Sequence, residues 1–270
     1  MNSHRIGATQ KLSLRVSVAT LARVLFKDPG NDEMLLALER KATVHQNEII
    51  IKSQPFGGAI RILDLNAIRD LIGDFHFDSE HSRSEQDFRL FIRPSDWSAV
   101  REFCIQHLSH EDDPFLETNP TRELAEEFHD ALELNLKPKQ YSYKPVATVV
   151  DDNPAPTENI QAKGIPTVRV YRIFEIIISD ASLITIMLKN SESISHADLC
   201  ELALKDFQNG GKGKASTVLT LPLNHVTEVY LAKSPKERKA PILFEQHQLD
   251  ETVPAVLDDI PAPRYQKLHK

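Results

Sequence analysis

Cysteine is nearly absent: 270 residues carry two, Cys104 and Cys200. They lack metal-ligand spacing and sit in helix-like apolar patterns, so two buried free thiols in a reducing compartment are expected. Long apolar runs are missing as well. No stretch reaches the roughly eighteen residues of a membrane helix, and the polar segment 1–10 lacks the apolar core of a signal peptide, so a cytoplasmic protein without membrane partners is expected. Positive charge is also scarce. Thirty-two Lys and Arg against 39 Asp and Glu leave a formal net charge of -7 and a pI near 5.9, which removes the broad basic footprint of a nucleic-acid binder. No internal repeat or heptad run is present. What remains, 41% hydrophobic and 26% charged, is ordinary for a globular chain and sufficient for one large domain or two small ones.

Periodicity and turn chemistry divide the chain into a polar segment 1–11, a folded region 12–232 and a charged, Pro-rich extended tail 233–270. The stretch 12–26 is rich in Val, Leu and Ala with partial alternation, and strands are expected over 21–26, 34–38 (ending in Arg40 and Lys41), 48–51, 87–92 and 146–150. The clearest covers 167–179, where Arg169, Arg172 and Glu175 interrupt Val, Ile, Tyr and Phe, and 183–188 reads as its partner. Two further apolar segments, 218–221 and 226–232, could close the domain. Helical spacing marks 63–72, 95–108 with Trp97 in the core, and 195–207. Residues 151–166 read as a long loop. The run Gly210-Gly211-Lys212-Gly213-Lys214 lacks the spacing of a phosphate loop and follows no strand, so it reads as a flexible connector.

The segment 117–128 concentrates the chemistry. Asn119 and Pro120 form a helix start, since Asn accepts from free N–H groups of the first turn and Pro suits an initial position. Leu124, Phe128, Ala131 and Leu132 then mark one apolar face. At about 100° per residue, Glu123 and Glu127 lie about 40° apart with Glu126 on the other flank. Three carboxylates would then crowd one exposed face. Like charges at this spacing destabilise a helix, and a hard divalent cation, Mg²⁺ or Mn²⁺, would turn the cluster to advantage. A solvated acidic face paired with Arg122 is the plain alternative.

Upstream, Pro55-Phe56-Gly57-Gly58 follows an apolar strand, and Arg122-Glu123-Leu124-x-Glu126-Glu127 precedes another. Together they resemble the Nudix hydrolase superfamily, whose pattern is G-x5-E-x7-R-E-U-x-E-E-x-G-U with U bulky and apolar. The resemblance implies an α/β (α+β) fold, a mixed sheet sandwiched between helices, with a long insert over about 61–116. It departs from the pattern at Pro114, where the first Glu belongs, and at His129, where a Gly belongs. Asp87-Phe88-Arg89, Trp97 and 117–123 are similar to a divergent branch associated with bacterial antiviral nucleotide-signalling operons.

Carried over, Glu123, Glu126, Glu127 and the Gly58 carbonyl would hold Mg²⁺ or Mn²⁺, and Arg122 would orient the carboxylates. Gly57, Gly58, Arg169 and Arg172 would meet the substrate. Glu117 and Glu175 are the candidates for general base, each with a structural ion pair as the plainer role. The implied activity is metal-dependent hydrolysis of a nucleoside diphosphate derivative. The missing first Glu and the insert leave open a weak or inactive nucleotide-sensing or protein-interaction domain, with insert or tail as a protein-binding element.

Overall fold

The computed structural model describes residues 12–156, 162–234, 237–239, 241–257 and 266–268. The chain divides into two compact units. Three strands contribute to both: β1 (Leu14–Lys27), β6 (Tyr141–Pro156) and β7 (Pro166–Ile178).

The first unit gathers 12–19, 59–118 and 150–170, and so contains the expected insert. Here the start of β1 pairs antiparallel with β5 (Arg89–Ile92), and β5 with β4 (His76–Phe77). Helices α1 (Leu65–Ile72), α2 (Glu80–Glu85) and α3 (Trp97–His107) complete it. Val16, Ile62, Ile68, Phe88, Leu90, Val100 and Cys104 are buried. A buried ion pair joins Arg15 Nη2 to Asp78 at 2.7 Å, with Ser82 also donating to that carboxylate. Trp97 departs from expectation: it is half-buried, because its indole N–H donates to Asp152 at 3.1 Å near the surface.

The second unit holds 20–58, 119–149 and 171–257. Within it, β2 (Met34–His45) pairs antiparallel with β1, β3 (Glu48–Gln54) and β8 (Lys214–Pro222). A parallel contact brings β10 (His247–Leu249) beside β3, and β9 (Ile242–Phe244) pairs with β10. Helices cover both faces of this mixed sheet. On one face, α4 (Thr121–Leu132) and α5 (Ala181–Ser193) bury Leu124, Phe128, Leu183 and Met187 against Val24, Leu35, Ala37 and Val218. On the other, α7 (Leu223–Ala232) packs Val226 and Tyr230 on Leu36, Leu38, Leu219 and Leu221. Beside it, α6 (His196–Gln208) packs Leu199 and Ala203 on Ala42.

Three expectations are corrected. Residues 183–188 form part of α5, not a strand: Asp180 caps the helix by accepting from the Leu183 N–H at 2.8 Å, and Leu183, Ile184 and Met187 repeat at helical spacing. The expected loop at 151–166 is shorter than that, since β6 runs to Pro156 and β7 begins at Pro166; residues 157–161 lie outside the described residues. The tail is not an extended arm over 241–257. Ile242, Phe244, Leu249, Val253 and Leu257 are buried in the core, and a short helix α8 (Val253–Val256) follows β10.

The Gly210–Lys214 run is a tied turn. Asp206 accepts from the Gly213 and Lys214 N–H groups, and the Val44 N–H donates to the Gly213 carbonyl. Of the two free thiols, Cys104 is buried, which pushes its pKa up; Cys200 is only half-buried, because it sits off the packed face of α6.

Candidate active site at the acidic helix

The sequence of α4 places the side chains. Asn119 Oδ1 accepts the Thr121 N–H at 2.8 Å, so the helix starts where expected. Leu124, Phe128 and Ala131 then anchor it to the sheet, with the Phe128 ring 4.7 Å from that of Phe56. Phe56 leads directly into Gly57 and Gly58, so this packing draws the glycine turn onto the helix.

Both glycines are required sterically. Gly57 has φ 148°, and a Cβ there would collide with the Thr20 carbonyl. A Cβ on Gly58 would overlap the Glu123 carboxylate. The Gly58 carbonyl accepts the Thr20 N–H at 2.9 Å, which ties the turn to β1.

The expected single exposed acidic face is divided three ways. Glu123 is buried beneath Gly58, with Arg122 Nη2 2.6 Å from its carboxylate. Glu126 has 60% of its side chain exposed and lies 3.3 Å from Arg122. Glu127 turns toward the sheet. The division arises because α4 packs so closely that its flanks, not only its apolar stripe, meet β2 and the glycine turn.

On β2 the structure supplies groups that sequence reading left aside as a strand end. Side chains alternate along a strand, so Glu39 and Lys41 face α4 while Arg40 points to the other face. Glu39 is 0% exposed. Lys41 Nζ lies 2.8 Å from Glu39 and 3.5 Å from Glu127. Ser216 donates to Glu39 at 2.7 Å and Gln54 at 3.0 Å. Lys214 lies on the same face, paired across from Thr43. The one available sequence signal was the Glu39-Arg40-Lys41 triplet itself, three charges where an apolar strand should continue.

Two carboxylates therefore share one ammonium. For Glu39, burial raises the pKa, but Lys41 and the hydrogen bonds from Glu127 and Ser216 outweigh it and hold the group ionised. Glu127 loses that contest. Burial and the Glu39 charge push it up to about 8 despite Lys41. Its Oε2 is buried without a hydrogen-bond partner. Lys214 is pushed below its ordinary value by burial and by repulsion from Lys41 and Lys212.

A change at Lys41 tests this balance. Lys41→Met leaves Glu39 and Glu127 together without their cation, and unfolding in urea should show a loss of about 3 kcal/mol, the scale of a broken buried pair. A loss below about 0.5 kcal/mol, the level of an ordinary surface change, would mean the ammonium does not neutralise this pair.

The other candidates lie elsewhere. Glu117 belongs to the first unit, half-buried, with its N–H on the Arg61 carbonyl. Arg169, also in the first unit, lies 3.8 Å from Asp151. Arg172 is buried, donates to Thr148 and stacks over Phe174, which withdraws it from solvent-borne phosphate. Glu175 is held between Arg23 and Lys144. Burial alone would raise its pKa, but these cations lower it, and so lower its strength as a base. Among the described residues no three His, Cys, Asp or Glu side chains already converge as a metal cluster.

A family model described as the SMODS-associated NUDIX domain matches residues 13–213. The chain belongs to this family. It is therefore a Nudix-superfamily domain of the branch associated with antiviral signalling, and its mixed sheet between helices agrees with the fold that the resemblance implied. No curated protein and no solved structure matches it. No helix among the described residues of this Nudix domain is long and apolar enough to cross a membrane.

Proposed function

We propose that this Nudix domain hydrolyses the phosphoanhydride of a nucleoside diphosphate derivative with a divalent cation, Mg²⁺ or Mn²⁺. The observation that carries the reading is Glu127 Oε2, a buried carboxylate oxygen with no hydrogen-bond partner, on the helix that also sets Glu123 under Gly58. Lys41 lies 3.5 Å from this oxygen but gives it no hydrogen bond; a buried acceptor left without one is costly, and a hard cation would satisfy it with the ligand type that it prefers. The residues fit such an ion: Glu123 and Glu127 would hold it, with Glu126 able to swing in from solvent. Bound there, a divalent ion supplies charge neutralisation for phosphate oxygens and a more acidic water.

The remaining roles belong to the chain. Arg122 positions two carboxylates at once, Glu123 and Glu126. Lys41 keeps Glu39 ionised and sets the proton affinity of Glu127. Lys212, exposed, and Lys214, partly desolvated, offer positive charge beside this face for the substrate's phosphates. Glu127 holds a proton at neutral pH, so occupation of the site by a cation should release it. The two free thiols suit a reducing cytoplasm.

The test is turnover of a panel of nucleoside diphosphate derivatives with Mg²⁺, with Mn²⁺ and with EDTA. Hydrolysis that EDTA removes is the expected result. Nucleotide binding with no turnover under any of the three conditions would replace the enzyme reading with that of a nucleotide reader.

A further inference from the structure

The other face of β2 carries a second constellation that the acidic helix does not use. A cavity of about 340 Å³ opens there between β3, β10 and the start of α6. Its lining combines Arg40, His196 and His247 with Ile49, Ile51 and Leu243. Arg40 is only 3% exposed, yet no carboxylate among the described residues lies within ion-pair distance of it. One amino group donates to the Ile194 carbonyl, and its Nε–H has no acceptor. Asp198 acts on Arg40 from beyond ion-pair distance and does not offset burial, which holds the guanidinium below its ordinary pKa. Asp198 is engaged with the N–H and hydroxyl of Ser195, and Glu245 is exposed and acts on His247 rather than on Arg40.

A buried guanidinium with no carboxylate at ion-pair distance is an unfavourable arrangement for an isolated chain. An anion in the cavity would remove the penalty, and Arg forms paired hydrogen bonds to phosphate oxygens. His196 and His247 add donors around the same space. The volume falls within the range of small-molecule sites and exceeds what a bare oxyanion fills. The isoleucine and leucine wall calls for an apolar or flat body attached to the anion.

We infer that this cavity is a binding site for a phosphate monoester borne on an apolar or aromatic body, separate from the acidic helix. Arg40 supplies the principal charge, the histidines supply orientation, and Leu243, 70% exposed, covers the ligand body.

Phenyl phosphate is a suitable probe, titrated into the full chain by calorimetry in EDTA, which removes metal-bridged anion binding at α4. Saturable binding is expected, tighter than for inorganic phosphate. Arg40→Met should weaken it tenfold or more, and Glu127→Gln should leave it unchanged, which keeps this site distinguishable from the proposed catalytic one. Because Arg40 is buried and its variant can fail to fold, His247→Gln and Leu243→Asp provide the deciding pair. Each alters the rim and should weaken binding several-fold, the aspartate more by repulsion. Absence of saturable binding, or affinity in both rim variants equal to that of the unaltered chain, would overturn the site.

Discussion

Glu127→Gln is expected to lower metal-dependent turnover by about 10²–10³-fold, the scale of losing one electrostatic stabiliser in a dry site, while making the metal-free protein more stable in alkali. The two effects have one origin. Glu127 is the surplus carboxylate beside a Glu39–Lys41 pair that is complete without it. Its folded pKa is raised from 4.5 to about 8. A raised pKa means that the folded state binds the proton more tightly than the unfolded chain, so its contribution to stability is fully present below about 4.5 and lost as pH rises through about 8. Glutamine imitates the protonated acid and abolishes this loss. Thermal unfolding at pH 9 should therefore show a Tm higher by about 2–5 °C in the variant, with little difference at pH 5. Equal Tm values at pH 9 would show that Glu127 ionises freely. Undiminished turnover would remove it from the site.

Gly58→Ala should be as damaging to turnover and, unlike Glu127→Gln, should also destabilise the fold. The added methyl meets the Glu123 carboxylate, which is buried and paired with Arg122 and so has little room to swing away. The Gly58 backbone is tied to Thr20, and Phe56 is locked against Phe128. Overpacking of this kind costs about 1–3 kcal/mol, visible as a lower urea midpoint. The double variant Gly58→Ala, Glu123→Ala separates packing from chemistry. It should recover most of the stability, because the overlap is gone, and none of the activity. If the single change leaves both urea midpoint and turnover intact, Gly58 and Glu123 are not in contact.

The acidic helix was legible because its signals are local: Asn119 at the start, and Leu124, Phe128 and Ala131 at a 3.6-residue spacing. The glycine pair was legible for a similar reason, since a Gly-Gly after a strand marks close backbone approach. Residues 183–188 misled because all six are apolar or small, so the helical spacing of the buried Leu183, Ile184 and Met187 emerges only once the Asp180 cap and tertiary packing select their face. The tail misled because its prolines suggested an extended arm, whereas single buried residues such as Ile242, Phe244 and Leu249 carry it into the core.

By itself, the sequence determined the start of α4, its apolar stripe and the family pattern that Arg122, Glu123, Glu126 and Glu127 spell out, all of which depend on neighbours a few residues away. Only the tertiary structure decided that Glu123 lies under Gly58, that Glu126 stays in water and that Glu127 is buried beside Glu39 and Lys41. The reason is physical: a carboxylate's proton affinity follows its desolvation and the charges around it. Those are set by the face of β2 that the packed helix meets, not by the residues adjacent in the chain.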